Sequence, residues 1–134
     1  MAPYAAGPFD VTLTPQAGAT PAEGATLGRL AIEKKFHGDL VGTSAGEMIS
    51  AMTAVQGSAA YSALERVNGS LHGRSGTFAL QHTGIMNRGV PSLKITVVPD
   101  SGTGELAGLT GTMDIQIEAG QHAYTFDYAF ESAP

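Results

Sequence analysis

The sequence predicts an all-β protein, an eight-stranded antiparallel β-barrel. Apolar and polar residues alternate with a period of two in about eight segments, and turn-forming residues separate these segments. No segment has a convincing helical pattern. Glycine occupies 18 of 134 positions, several of them inside predicted strands, which is typical of strongly coiled sheets. The pattern suits a barrel or a sandwich, and we favour the closed barrel.

The first three predicted strands span residues 9–14, 27–36 and 41–55. Pro15 ends the first strand, and the connection 16–24 is rich in turn-forming residues. The third span is ambiguous, because Met48, Met52 and Val55 have helical spacing. Its β-branched residues favour a strand, however, and its glycines weaken a helix. We predict a long bent strand there.

A hairpin follows, with strands over 59–71 and 76–86. Two turns compete, Asn68-Gly69 and Gly73-Arg74, since both suit a two-residue connection. We favour Gly73-Arg74, because the other turn would interrupt the alternation that runs through Leu71. In this register Glu65 faces His82, with Cβ atoms about 4.5–5.5 Å apart, and Tyr61 faces Met86. The Asn-Gly turn would place Glu65 opposite His72 instead.

The remaining predicted strands span 91–98, 112–118 and 124–129, with a loop over 99–108 and a turn near Gly120. The length favours one domain over residues 1–134, with residues 1–7 as a loose N-terminal extension.

Composition excludes several classes of partner. The formal net charge is −5, and the seven basic residues are scattered, which argues against nucleic acid and anionic membranes. The chain has no cysteine, and its four histidines lack metal-ligand spacing, so we expect no metal and no cofactor. The N-terminal residues do not have the pattern of a signal peptide, and the sequence has no apolar run of about 18 residues, so we expect a cytoplasmic protein.

The candidate site is built on Glu65 and His82, because alternation turns both towards the interior. Such a pair either serves structure alone, or contacts a ligand or catalyses a reaction. Glu47 would join the pair, with Tyr61 as a hydrogen-bond donor, if its face of the third strand points inward. A bulge at Gly46 would reverse that orientation. Apolar ligand contacts are assigned to Phe78, Leu80, Met86, Phe126 and Tyr128.

One catalytic motif is present by spacing alone. Residues 42–46 read G-x-S-x-G, and Asp114 and His122 follow in the order of an α/β-hydrolase triad. That motif requires a strand, a sharp turn and a helix, and a chain this rich in strands does not supply them. The glycines at 102 and 104 likewise lack the spacing of a phosphate-binding loop.

Several motifs together resemble one family. They are GTSAGEM at 42–48, Y-x-A-x-E-R-V at 61–67, G-x-L-x-G-R-S-G-x-F at 69–78, L-Q-H-x-G-x-M at 80–86, P-D-S-G-T-G-E-L-x-G-L-x-G at 99–111 and H-x-Y-x-F-x-Y at 122–128. This set resembles the small bacterial DUF3224 proteins over nearly the whole chain. The resemblance implies an eight-stranded barrel similar to allene oxide cyclase, within a lipocalin-like architecture. It implies no general function, and a fold alone confers none.

Three functions remain open from the sequence. The first is the binding of a small apolar or amphipathic ligand inside the barrel. The second is an enzyme of cyclase, isomerase or hydrolase type that uses Glu65 and His82 for proton transfer. The third is a structural homo-oligomer with a filled barrel, to whose outer apolar patch Leu40 and Leu64 would contribute.

Overall fold

The computed structural model describes residues 4–19 and 21–132 and contains eight strands. They are β1 (Tyr4–Pro15), β2 (Ala25–Phe36), β3 (Leu40–Thr53), β4 (Ala59–Leu71), β5 (Arg74–Asn87), β6 (Val90–Val97), β7 (Leu109–Glu118) and β8 (Gln121–Phe130). Each strand pairs antiparallel with the next, and β8 pairs with β1 to close the barrel. The predicted eight-stranded antiparallel barrel is therefore confirmed.

Segment 41–55, whose pattern was ambiguous, lies almost entirely within β3. Its register with β2 and β4 runs without interruption, so no bulge occurs at Gly46. Ser44 of the G-x-S-x-G motif lies inside this paired stretch and is buried. Among the described residues, helix is limited to the single turn Gly104–Leu106, so the strand–turn–helix context of a nucleophile elbow is absent. Nor does any described helix have the length and apolar character needed to span a bilayer.

The predicted loose N-terminal extension is wrong for residues 4–7. These residues begin β1 and pair with β8, from Tyr4 opposite Asp127 to Phe9 opposite His122. Ala5 is fully buried, so this segment both supplies core and closes the barrel. Gly7 and Pro8 weakened the local strand signal, which tertiary pairing overrides. Residues 1–3 of the extension lie outside the described part of the chain.

The turn between β4 and β5 is His72-Gly73, one residue earlier than predicted. Leu71 pairs with Arg74, and both turn residues have positive φ, 47° and 84°. Two positive φ angles in sequence are the mark of a type I′ turn, which matches the twist of a hairpin, and histidine tolerates the left-handed region better than most residues. Consequently Glu65 faces Leu80, and His82 faces Ala63.

The packed core fills one end of the barrel, where the connections are 37–39, 72–73 and 98–108. Tyr124 ties this end together: its hydroxyl donates to the carbonyl oxygen of His37 (2.7 Å) and accepts from the backbone N–H of Leu40 (2.8 Å). Leu40 is fully buried here, so its predicted place in an outer apolar patch is wrong, whereas Leu64 is exposed. We call this end the closed end.

Candidate functional site

The opposite end of the barrel, which we call the open end, contains a cavity of about 560 Å³. The segments 16–19, 21–24, 54–58, 88–89 and 119–120 lie at this end. Small residues face inward here, among them Gly28, Ser50 and Ala59, and leave space inside the barrel. The walls are mostly apolar, with contributions from Val11, Leu30, Ile32, Met48 and Ile115.

A buried ion pair lies at the floor of the cavity. The Nζ atom of Lys34 lies 2.9 Å from Oε2 of Glu65 and 3.2 Å from Oε1, and the two side chains are 5% and 0% exposed. Lys34 belongs to β2 and Glu65 to β4, so the pair reaches across β3. Gly46 of β3 pairs with Glu65 and has no side chain to stand between them. The ammonium also lies over the rings of Phe9 and Phe36, at 5.2 and 5.8 Å from their centroids.

His82 extends this pair into a chain that ends at Tyr61. The Nε2 atom of His82 lies 3.4 Å from Oε2 of Glu65, and Nδ1 lies 3.4 Å from the Tyr61 hydroxyl. Both distances are long for hydrogen bonds, and Nε2 has no well-formed partner although it is buried. Lys34, His82 and Tyr61 all line the cavity. The order Lys34–Glu65–His82–Tyr61 therefore connects a buried charge pair to a hydroxyl beside open space.

The electrostatics of this chain keep Glu65 ionised. Burial by itself raises the pKa of Glu65. The interaction with His82 and the positive charge of Lys34 together lower this pKa by more than burial raises it, so it lies below its usual value. The pKa of Tyr61 is raised, first by burial and then by the negative charge of Glu65. At neutral pH Glu65 is a carboxylate and Tyr61 an uncharged hydroxyl.

The predicted partners Glu65, His82 and Tyr61 are brought together, although not in the predicted register. The true pairing is shifted by two residues, and a shift by an even number leaves each side chain on its own face of the sheet. His82 is thus the diagonal neighbour of Glu65 instead of its direct partner.

Glu47 does not join the pair, because its face of β3 points outward. Its side chain is 66% exposed and forms an ion pair with Arg29, with 3.4 Å between Oε1 and Nε. Because β3 is regular, Ser44, Gly46 and Met48 face inward and Glu47 faces solvent.

The predicted ligand contacts are corrected at four of five positions. Phe78, Leu80, Phe126 and Tyr128 belong to the packed core, where the rings of Phe78 and Phe126 stack at 6.0 Å. Met86 alone of the five lines the cavity, at its mouth. Alternation correctly turns all five inward, but it carries no information on depth along the barrel axis.

Two residues of the site were missed, Lys34 and His122. A signal for each was available from the alternation of side chains along a strand. Lys34 lies two residues from the inward-facing Ile32 and Phe36, and His122 lies two residues from the inward-facing Tyr124. His122 is half-buried, lines the cavity and lies against the ring of Phe9, with centroids 5.3 Å apart. Within residues 4–19 and 21–132, no group of three or more metal-ligating side chains is arranged to hold a metal ion.

Fold and site together define an up-and-down eight-stranded barrel with an ion pair at the floor of a cavity open at one end. The family described as "Protein of unknown function (DUF3224)" matches residues 5–128, and the chain belongs to that family. It is similar to the crystal structure of a protein of unknown function from the DUF3224 family of Shewanella oneidensis MR-1, with 53% identity and a TM-score of 0.94. That match covers 98% of this chain and 100% of the other. No curated protein matches the chain.

Proposed function

We propose that this protein binds one small apolar or amphipathic molecule in the open end of the barrel. The observation that carries the proposal is the cavity of about 560 Å³, with apolar walls and a polar floor. Its volume lies within the range of about 300–1,000 Å³ that is usual for small-molecule sites. Barrels of eight strands are wide enough for either packed side chains or one small ligand.

The mouth of the cavity supports the same proposal. Leu13, Met52 and Ile117 line it and are 45%, 59% and 63% exposed. Apolar side chains grouped around a concave opening favour the entry of an apolar molecule, because the ligand removes their surface from water. Met48, Met52 and Met86 add adaptable walls, since methionine adjusts to ligands of different shape.

Saturable binding of N-phenylnaphthylamine, an uncharged dye that fluoresces in apolar surroundings, tests this function. Ser50→Trp should weaken binding at least about tenfold, because Ser50 lines the cavity and the indole would occupy it. The matched control is Ile49→Trp, one residue away on the outer face, where the side chain is 58% exposed. Circular dichroism verifies that both variants fold. Absence of saturable binding to the unmodified protein, or equal loss in both variants, would contradict the proposal.

We propose proton-transfer catalysis as the second candidate function, of the cyclase, isomerase or hydrolase type. The observation that favours it is the order Glu65–His82–Tyr61, in which the imidazole lies 3.4 Å from a carboxylate and 3.4 Å from a hydroxyl at the cavity. Such an arrangement suits removal of a proton from carbon next to a carbonyl group, with Tyr61 donating to the carbonyl oxygen. The proton would pass to His82 and return to the substrate.

Deuterium exchange into cyclooctanone, followed by NMR in deuterated water, tests this second candidate. We expect exchange next to the carbonyl to be faster with the protein than in buffer, and to fall at least about tenfold in His82→Gln. The control is His37→Gln, since the His37 side chain is 44% exposed and pairs with Asp10. Exchange at the buffer rate, or an equal rate in both variants, would count against catalysis.

A further inference from the structure

The charges at the floor of the cavity define the chemical class of its ligand. We infer that the ligand is uncharged and carries a hydrogen-bond-accepting oxygen at its polar end, which accepts from the Tyr61 hydroxyl. The inference rests on the proposed binding function and deepens it.

Lys34 does not provide a free positive charge. Its ammonium contacts both oxygens of Glu65, at 2.9 and 3.2 Å, and its other sides face the rings of Phe9 and Phe36. The Glu65 carboxylate is equally committed, because it is fully buried between Lys34 and His82. The pair therefore has no net charge, and each member already has its counter-ion.

Among the described residues, no other charged side chain lines the cavity; its remaining ionisable groups are Tyr61, His82 and His122. A carboxylate that entered would lose its hydration without a free cation to replace the water, unless an imidazole took up a proton. An ammonium group would meet a carboxylate that is buried and already paired. An uncharged ligand meets neither cost.

Tyr61 provides a hydroxyl that can recognise the polar end of a ligand. Its ring lies across Gly84, and a Cβ atom at Gly84 would come within 2.3 Å of the ring. The ring can lie there because glycine has no side chain. Its hydroxyl is 3.4 Å from Nδ1 of His82, a weak interaction that leaves the proton available to a better acceptor. A carbonyl or ester oxygen provides such an acceptor, and the apolar walls would hold the rest of the molecule.

Three ligands with similar alkyl tails and different head groups test the inference. Methyl decanoate, decanoate and decylammonium are titrated against the bound dye at pH 8, below the micelle concentrations of the two charged ligands and the solubility limit of the ester. We expect methyl decanoate to bind at least about tenfold more tightly than either charged ligand. Equal or tighter binding of decanoate or decylammonium would overturn the inference while leaving the binding function intact. Failure of the dye and of all three ligands to bind would overturn both.

The role of Tyr61 is tested separately. Tyr61→Phe should weaken the binding of methyl decanoate about fivefold, the value of one hydrogen bond. The matched control is Tyr4→Phe, because Tyr4 is exposed. The carbonyl stretching frequency of methyl decanoate bound to the unmodified protein gives a measurement that needs no variant. It should be lower than in hexane, and an unshifted frequency would overturn the assigned hydrogen bond.

Discussion

Lys34→Met is expected to destabilise the barrel by about 3–5 kcal/mol, because the Glu65 carboxylate would remain buried without its cation. The measurement is the free energy of unfolding in guanidinium chloride, followed by circular dichroism. The matched control is Lys35→Met, since Lys35 is the next residue on β2 and faces solvent. Its expected change is within about 0.5 kcal/mol. Comparable losses in the two variants would contradict the assigned ion pair.

The double variant Lys34→Met, Glu65→Leu separates the attraction within the pair from the cost of burying it. With both charges removed, no uncompensated ion remains, so we expect the double variant to recover most of the stability lost by Lys34→Met. A loss equal to the sum of the losses in Lys34→Met and Glu65→Leu would mean that the two side chains are not energetically coupled, and would contradict the assigned ion pair. Recovery would mean that the ion pair adds little net stability over an apolar replacement of the same two residues.

Gly46→Ala is expected to cost about 3 kcal/mol or more, since overpacking against backbone cannot be relieved by side-chain rotation. A Cβ atom at Gly46 would lie 2.1 Å from the carbonyl oxygen of Leu64 and 2.6 Å from Cα of Glu65. Strands β3 and β4 would have to separate beside the ion pair. The free energy of unfolding measures the effect.

Gly28→Ala provides the control for Gly46→Ala. Gly28 also lies inside a strand of the barrel, but its Cβ atom would meet only the Ser50 hydroxyl, at 3.3 Å, and that side chain can rotate away. We expect a change within about 1 kcal/mol of zero, because alanine also restricts the unfolded chain. Similar losses at both glycines would show that loss of glycine, not close approach of β3 and β4, determines the cost.

The sequence predicted three members of the candidate site, Glu65, His82 and Tyr61, but not the geometry that joins them. Alternation along the strands places Glu65, His82 and Tyr61 on one face of the sheet. A register shift by two residues leaves them on that face. The same alternation pointed to Lys34, although its attachment to Glu65 depends on Gly46 in the strand between them. Glu47 was misplaced because the sequence does not state which face of an isolated strand is the inner one.

The sequence by itself determined the eight strands, because alternation with a period of two is a local property of each segment. Its motifs indicated the family. Only the tertiary structure decided the depth of each residue along the barrel. Phe78 and Phe126 fill one end while Tyr61 and His82 border a cavity at the other, and no local pattern distinguishes them. Depth follows from the register and volume of all eight strands packed together, which are properties of the closed barrel and not of any single segment.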